Sequence, residues 1–334
     1  SLLEEKIKNN DDFANLWNEF NNKKIEFNHS QKYDRKATRV TGSEVLKSIG
    51  ESNRFILGGS ADLAASTKQI ISNSIYSHQN RSGQSIEFGI REHAMAAVVN
   101  GITLHSNLIS YGSTFLVFSD YMRPSIRLAS LMNLNSVYIF THDSIYLGED
   151  GPTHQPVEHL MSLRLIPGVD VVRPANSIEV QYAYQYIFTK SNNPKSLVLT
   201  RQSLDYVETN LSYKNFQEGA YELIKGDDIT IFASGSEVSL AIEVSKKLKN
   251  KSVQIISTPI LNQVNTDTLT NLKINEFVFT LELGRSIGWQ DYIGKVTESF
   301  SIETFGKSAP QEDLTNYFEF SAEKIAEKIL QHIS

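Results

Sequence analysis

Cysteine is absent from the 334 residues, which excludes disulfides and thiolate metal sites. That absence fits a reducing compartment, and the expected location is cytoplasmic. Long apolar runs are missing too. No stretch reaches the ~18–20 residues that cross a bilayer, and residues 1–20 are acidic and lack the apolar centre of a secretory signal. Positive charge is not in excess: 32 basic residues face 38 acidic ones, for a net charge of −6. With no basic run interleaved with aromatics, neither nucleic acid nor a membrane is an expected partner. The chain opens on Ser1 rather than Met, which fits an excised or processed piece as well as a naturally separate half.

What is present describes a globular chain, with 40% hydrophobic and 21% charged residues, and the length suggests two domains. Residues 1–36 read as an amphipathic helix followed by a polar linker, with no core of their own. A first domain over 37–205 alternates helix and strand: a helix at 38–49, strands at 54–57, 85–90, 137–140, 169–172 and 197–200, and a tight turn at Gly58-Gly59. A polar linker at 206–219 leads to a second domain over 220–334. That domain has strands at 229–233, 253–257 and 277–282 and a final helix at 322–332 with Ile325, Ile329 and Leu330 inward. Alternating β and α units predict an α/β fold, two consecutive domains of mainly parallel sheet covered by helices.

The most informative stretch is 85–121. A strand runs into Arg91-Glu92-His93, and Met95, Val98, Val99 and Ile102 recur at helical spacing beyond it. A glutamate just past a strand's C-terminal end sits where open α/β sheets bind ligands. Phe115, Phe118 and Tyr121 follow i, i+3, i+6 and share one face of a turn or helix. An acid beside an aromatic wall suits a flat heteroaromatic ring, although on spacing alone core packing is the commoner use of such aromatics and favouring a helix dipole the commoner use of Glu92.

The literal residues add a resemblance. Gly58-Gly-Ser-Ala-Asp62, Phe88-Gly-Ile-Arg-Glu-His-Ala-Met95, Phe118-Ser-Asp-Tyr-Met-Arg-Pro124, Thr141-His-Asp-Ser144 and Gly148-Glu-Asp-Gly-Pro-Thr-His-Gln-Pro-Val-Glu158 are followed by Arg173-Pro174 and Thr200-Arg201-Gln202. In identity, order and spacing these blocks resemble the transketolase family, with looser similarity to the end of the chain. The resemblance implies a pyrimidine-binding domain followed by a transketolase C-terminal domain, with thiamine diphosphate as cofactor.

It also implies roles, residue by residue. Glu92 matches the glutamate that holds a pyrimidine nitrogen and favours the imino tautomer, and Phe118 matches the ring that stacks on the pyrimidine, flanked by Phe115 and Tyr121. Asp62 matches an aspartate near the cofactor. Arg39, Ser66, His142 and Arg201 match contacts to a sugar phosphate, a use that suits guanidiniums. Asp150 resembles a reader of a substrate hydroxyl, and His154, like His142, a polar neighbour of the reacting centre. Ala65 stands where the family usually has proline. Taken alone, Ser66 reads as a helix N-cap, Arg39 as a surface charge, and Asp150 and His154 as solvated loop residues.

The family holds the diphosphate through Mg²⁺ on a Gly-Asp-Gly motif with a later Asn, hard oxygen ligands of the kind Mg²⁺ requires. Here only Gly226-Asp227-Asp228, with Asn250, comes near it, and it reads as a turn. No metal ligand is therefore expected in this chain, and the diphosphate-binding N-terminal domain or subunit is the expected partner, alongside sugar phosphates and a second copy in a homodimer. The implied function is two-carbon ketol transfer in the pentose phosphate pathway, with the isolated chain inactive. Deoxyxylulose-phosphate synthase and the 2-oxoacid dehydrogenase β-subunit share the architecture, and a non-catalytic binding or regulatory module is the alternative from another class.

Overall fold

The computed structural model describes residues 1–22, 24–27, 35–205 and 207–333. Part of the polar linker read at 21–36, Tyr206 at the head of the second linker, and Ser334 lie outside the described residues. The lead is two helices, Leu2–Asn9 and Asp11–Asn22, rather than one. Asn10 parts them: its backbone is extended and its side chain accepts from the Phe13 amide at 2.9 Å, the job of a helix N-cap. Phe20 packs edge-on against Phe55 at 5.3 Å and Glu19 pairs with Arg54, so the second helix lies on the first domain while Leu2 stays exposed.

That domain opens with a two-residue strand, β1 (Lys36–Ala37), and the helix Thr38–Ser52. Six strands make its sheet: β2 (Ile56–Ser60), β3 (Ser85–Glu87), β4 (Ile109–Phe115), β5 (Val137–Thr141), β6 (Asp170–Val172) and β7 (Lys195–Leu199). All pair in parallel, in the order β3-β2-β4-β5-β7-β6. A further short strand, β8 (Ser203–Leu204), returns antiparallel to β1. Strand alternation sends Val137 and Ile139 to one apolar core and Tyr138 and Phe140 to another on the opposite face. Gly58 and Gly59 lie inside β2, not in a turn after it. A Cβ at Gly58 would fall 2.3 Å from the Tyr111 carbonyl oxygen, and one at Gly59 1.9 Å from that of Ile86. These glycines let neighbouring strands close up.

The linker at 206–219 carries a short helix, Tyr213–Gln217, capped by Ser212, whose Phe216 is buried in the first domain's core. The second sheet comprises β9 (Tyr221–Ile224), β10 (Ile229–Ala233), β11 (Val253–Ser257), β12 (Phe277–Leu281) and β13 (Glu298–Phe300). Its order is β13-β12-β10-β11-β9, parallel except for β9 against β11. In the last helix, Ala322–Ile333, Ile325 and Ile329 are buried but Leu330 is 44% exposed, so its inward face is narrower than the apolar pattern implies. Gly226-Asp227-Asp228 is a bend, with the Asp228 carboxylate accepting from the Ser252 amide at 2.6 Å. The two domains meet through buried polar contacts, among them a two-bond grip of Arg164 on Glu282 at 2.7 and 2.8 Å. No helix among the described residues is long and apolar enough to cross a membrane.

Candidate active site

Because the six strands of the first sheet run the same way, the segments leaving their C-terminal ends gather along one edge, where parallel sheets receive ligands. Beyond β3, the helix Glu92–His105 begins with Glu92. This residue is only 8% exposed, and among the described residues no donor or cation pairs with its carboxylate. Its place in the first helical turn favours the negative charge. Met95 and Val99 of this helix are buried as expected, while Val98 is 43% exposed.

Phe115 ends β4, a single 3₁₀ turn carries the chain to Phe118, and the helix Ser119–Leu131 brings Tyr121. The three rings form a file: Phe115 and Phe118 lie 6.0 Å apart and 9° from parallel, Phe118 and Tyr121 6.0 Å apart and 21° from parallel. Phe115 is buried and Tyr121 is 62% exposed, so the file runs from core to solvent. His154 sets its ring edge-on to Phe118 at 5.6 Å, with its Nδ1 2.9 Å from Thr153 Oγ1.

His142 follows β5 with φ +60°, the left-handed region that non-glycine residues adopt mostly under constraint. Its ring centroid is 3.7 Å from that of Phe115. Arg39 Nη1 lies 3.1 Å from its Nε2 and Thr141 Oγ1 2.7 Å from its Nδ1. A guanidinium can only donate, so Nε2 must accept and Nδ1 must carry the proton, donated to Thr141. Burial, with Arg39, Arg201 and His154 nearby, holds the imidazole pKa down at about 3.

Arg39 also donates to the Ser66 carbonyl oxygen at 2.7 Å. It is therefore the carbonyl of Ser66, not the hydroxyl, that engages Arg39, and Ser66 lies within the helix Ala64–Thr67 rather than capping it. Arg201 stands close by charge: burial first and then Arg201 lower the pKa of Arg39. Reciprocal hydrogen bonds between Thr38 and Thr200, 3.0 and 2.7 Å, bring the segments carrying the two arginines together. Asp62 and Asp150 are exposed, Asp62 with φ +59°, and neither bonds another described side chain. The structure thus joins Phe115, Phe118, Tyr121, His154, His142, Arg39, Ser66 and Arg201, and leaves Asp62 and Asp150 facing solvent.

Sequence reasoning missed the supports. Thr141 fixes the His142 tautomer, and Asp120, between two of the stacked aromatics, lies 3.1 Å from Nε2 of buried His159, anchoring that helix. Both stand inside the quoted blocks, but short polar residues carry no periodic signal that would single them out.

The first of the two α/β domains thus carries a buried acid, a file of aromatic rings and two neighbouring arginines. Comparison with known proteins is specific. A family described as "Transketolase, pyrimidine binding domain" matches residues 34–206, and one described as "Transketolase-like TK C-terminal domain" matches residues 219–321. The transketolase of Bacillus subtilis (strain 168) is 40% identical over 307 residues, covering 88% of this chain and 46% of that protein. A solved transketolase from Leishmania mexicana superposes with a TM-score of 0.90 at 30% identity, over 99% of this chain and 51% of that one. A chain of a split gene transketolase, an inactive β4 tetramer, shares the fold with a TM-score of 0.74 at 21% identity, over 89% of this chain and 98% of that one.

The chain belongs to the transketolase family. It spans about half the length of the curated relatives it matches. Membership implies thiamine diphosphate, and the residues present fit the pyrimidine side of that cofactor: Glu92 has a carboxylate with no partner among the described residues, and Tyr121 is largely exposed beside Phe118.

Proposed function

We propose that this chain forms the pyrimidine side of a transketolase active site and takes part in two-carbon ketol transfer from a ketose phosphate to an aldose phosphate, in the cytoplasm and within the pentose phosphate pathway. The observation that carries the reading is Glu92, a buried carboxylate at a helix N-terminus without a partner among the described residues, in the family's pyrimidine-binding domain. Bound thiamine diphosphate would supply the carbon nucleophile. Glu92 holds or shares a proton at the pyrimidine nitrogen. Phe118 stacks on the ring with Phe115 and Tyr121 completing the wall, and Asp62 borders the same edge.

Arg39 and Arg201 take the sugar's phosphate, and Arg39 leaves the Ser66 carbonyl and His142 for it. Ser66 and His142 line that pocket, while Asp150 and His154 face the sugar hydroxyls nearer the reacting carbon. The diphosphate and its Mg²⁺ are held by an N-terminal domain or subunit outside this chain.

Partner contact is supported by a run of exposed apolar residues on and beside the two helices that frame the site: Ile90, Val98, Leu104, Tyr121, Leu128 and Leu131. Such a patch marks an interaction surface, suited here to a homodimer and to the missing cofactor side. Like the inactive split-gene tetramer whose fold it shares, the chain alone does not turn over substrate.

The test is an assay with xylulose 5-phosphate, ribose 5-phosphate, thiamine diphosphate and Mg²⁺, run on the chain alone and after mixing with a separately made N-terminal half. Activity only on mixing supports the proposal. No activity in the verified assembly would favour a binding or regulatory module, and activity of the chain alone would overturn the half-site reading.

A further inference from the structure

His142 occupies a left-handed conformation that its own strand does not require, and the residue after it explains what holds it. The Asp143 side chain is 1% exposed. Among the described residues, Arg173 is the sole donor to its carboxylate, through Nε at 3.1 Å and Nη2 at 2.7 Å. The other carboxylate oxygen, Oδ1, is buried with no partner among those residues. Arg173 is itself fully buried and spends its remaining nitrogen, Nη1, on the second domain: on Glu237, on the Ser234 carbonyl at 2.9 Å and on Ser234 Oγ at 3.0 Å. Its backbone is fixed from the same side, with Arg173 N donating to Pro259 O at 2.8 Å and Gly235 N donating to Arg173 O at 3.2 Å. Gly235 has φ +55°, and a Cβ there would fall 2.7 Å from the guanidinium, so the second domain's backbone closes directly over it.

The loop after His142 is held in the same manner. Gln155 Nε2 bridges the carbonyls of Ile145, Gly148 and Lys307 at 3.0, 2.9 and 2.8 Å. One end of the site's loop is thereby tied to the second domain.

We propose that Arg173 is a positioning residue through which the C-terminal domain holds the Asp143 carboxylate, and with it the turn that presents His142 to the site. The proposal deepens the functional reading above and rests on it for the site's purpose, but the geometry is tested on this chain alone. A buried guanidinium serving two carboxylates on two domains has a planar fork that lysine cannot reproduce.

The experiment is ¹⁵N NMR of the full chain with histidine rings labelled, the His142 signals being identified by their loss in His142→Gln. In the parent chain Nδ1 is protonated and Nε2 is not. In Arg173→Lys, and independently in Glu237→Gln should the first fail to fold, the His142 ring signals shift or split, while the other histidines keep theirs. Tyr221→Phe, which removes a different interdomain bond (to Glu179, 2.7 Å), leaves His142 unmoved. His142 signals that coincide with the parent's in both variants, or that move as much in Tyr221→Phe, overturn the proposal. Because this readout needs no turnover, an inactive verified assembly with a responsive His142 would sink the transketolase reading and leave the positioning role standing.

Discussion

The imidazole of His142 lies over the ring of Phe115, 3.7 Å between centroids and tilted by 33°, with Arg39 across its other nitrogen at 3.1 Å. A cation has no room in that arrangement. The unfolded chain takes up this proton near pH 6.5, whereas the folded one does so only at about pH 3. The native state therefore loses stability as pH falls through that window and keeps the full contribution above it. By about pH 4 the loss is on the order of 3 kcal/mol. Thermal unfolding followed from about pH 7 to pH 4 should decline more steeply for the parent chain than for His142→Gln. Equal slopes would place the imidazole in a wetter setting.

Glu92→Gln separates function from stability. No described residue binds the carboxylate, so the substitution should cost less than about 1 kcal/mol of folding free energy, the scale of a charge in a helix's first turn. In the assembled enzyme, turnover should fall about 10²–10⁴-fold, the range of a lost acid–base group. Retention of most of the turnover would remove Glu92 from its role.

Arg164→Ala should destabilise the chain by about 3–5 kcal/mol in urea unfolding, because it strands Glu282 in the interior without its bidentate partner. Burial pushes the Glu282 carboxyl up, yet Arg164 and then Arg173 outweigh it and hold the group at about 2. That stability is complete above about pH 4.5 and fades as pH drops toward 2. A loss under about 1 kcal/mol, the surface-pair value, would show that the pair is solvated.

Gly59→Ala should cost about 3 kcal/mol or more, at the upper end of overpacking effects, since the added carbon meets backbone rather than a movable side chain. The loss should be visible as faster hydrogen exchange of the Phe88 amide, which donates to Ser60 O at 3.2 Å. Unchanged exchange and stability would mean that β3 can shift away at little cost.

Much of this was legible in the residues. Apolar runs such as Val137–Thr141 and Val253–Ser257 announce buried parallel strands, and the family blocks singled out the candidate site residues proposed above. Three things were not legible, each for a physical reason. β4, built from Ser110, Gly112, Ser113 and Thr114, has too little apolar character to read as a strand and is buried by its neighbours. Gly58-Gly59 carries turn chemistry locally, but its use is set by Tyr111 and Ile86, far away in sequence. The pairing of Asp143 with Arg173 depends on a second domain whose Glu237 arrives 64 residues later, and no local pattern encodes it.

The antiparallel pairing of β1 with β8 makes the first domain a closed loop of chain, its opening and closing residues side by side. Thr38 and Thr200, 162 positions apart, lock that clasp. The clasp also forces two cations, Arg39 and Arg201, into each other's field before any ligand arrives. On the proposed phosphate-binding role, a bound dianion would meet both positive charges at once. On that role, anion binding depends on the closure of the whole domain, because an unclasped chain would leave each arginine on its own.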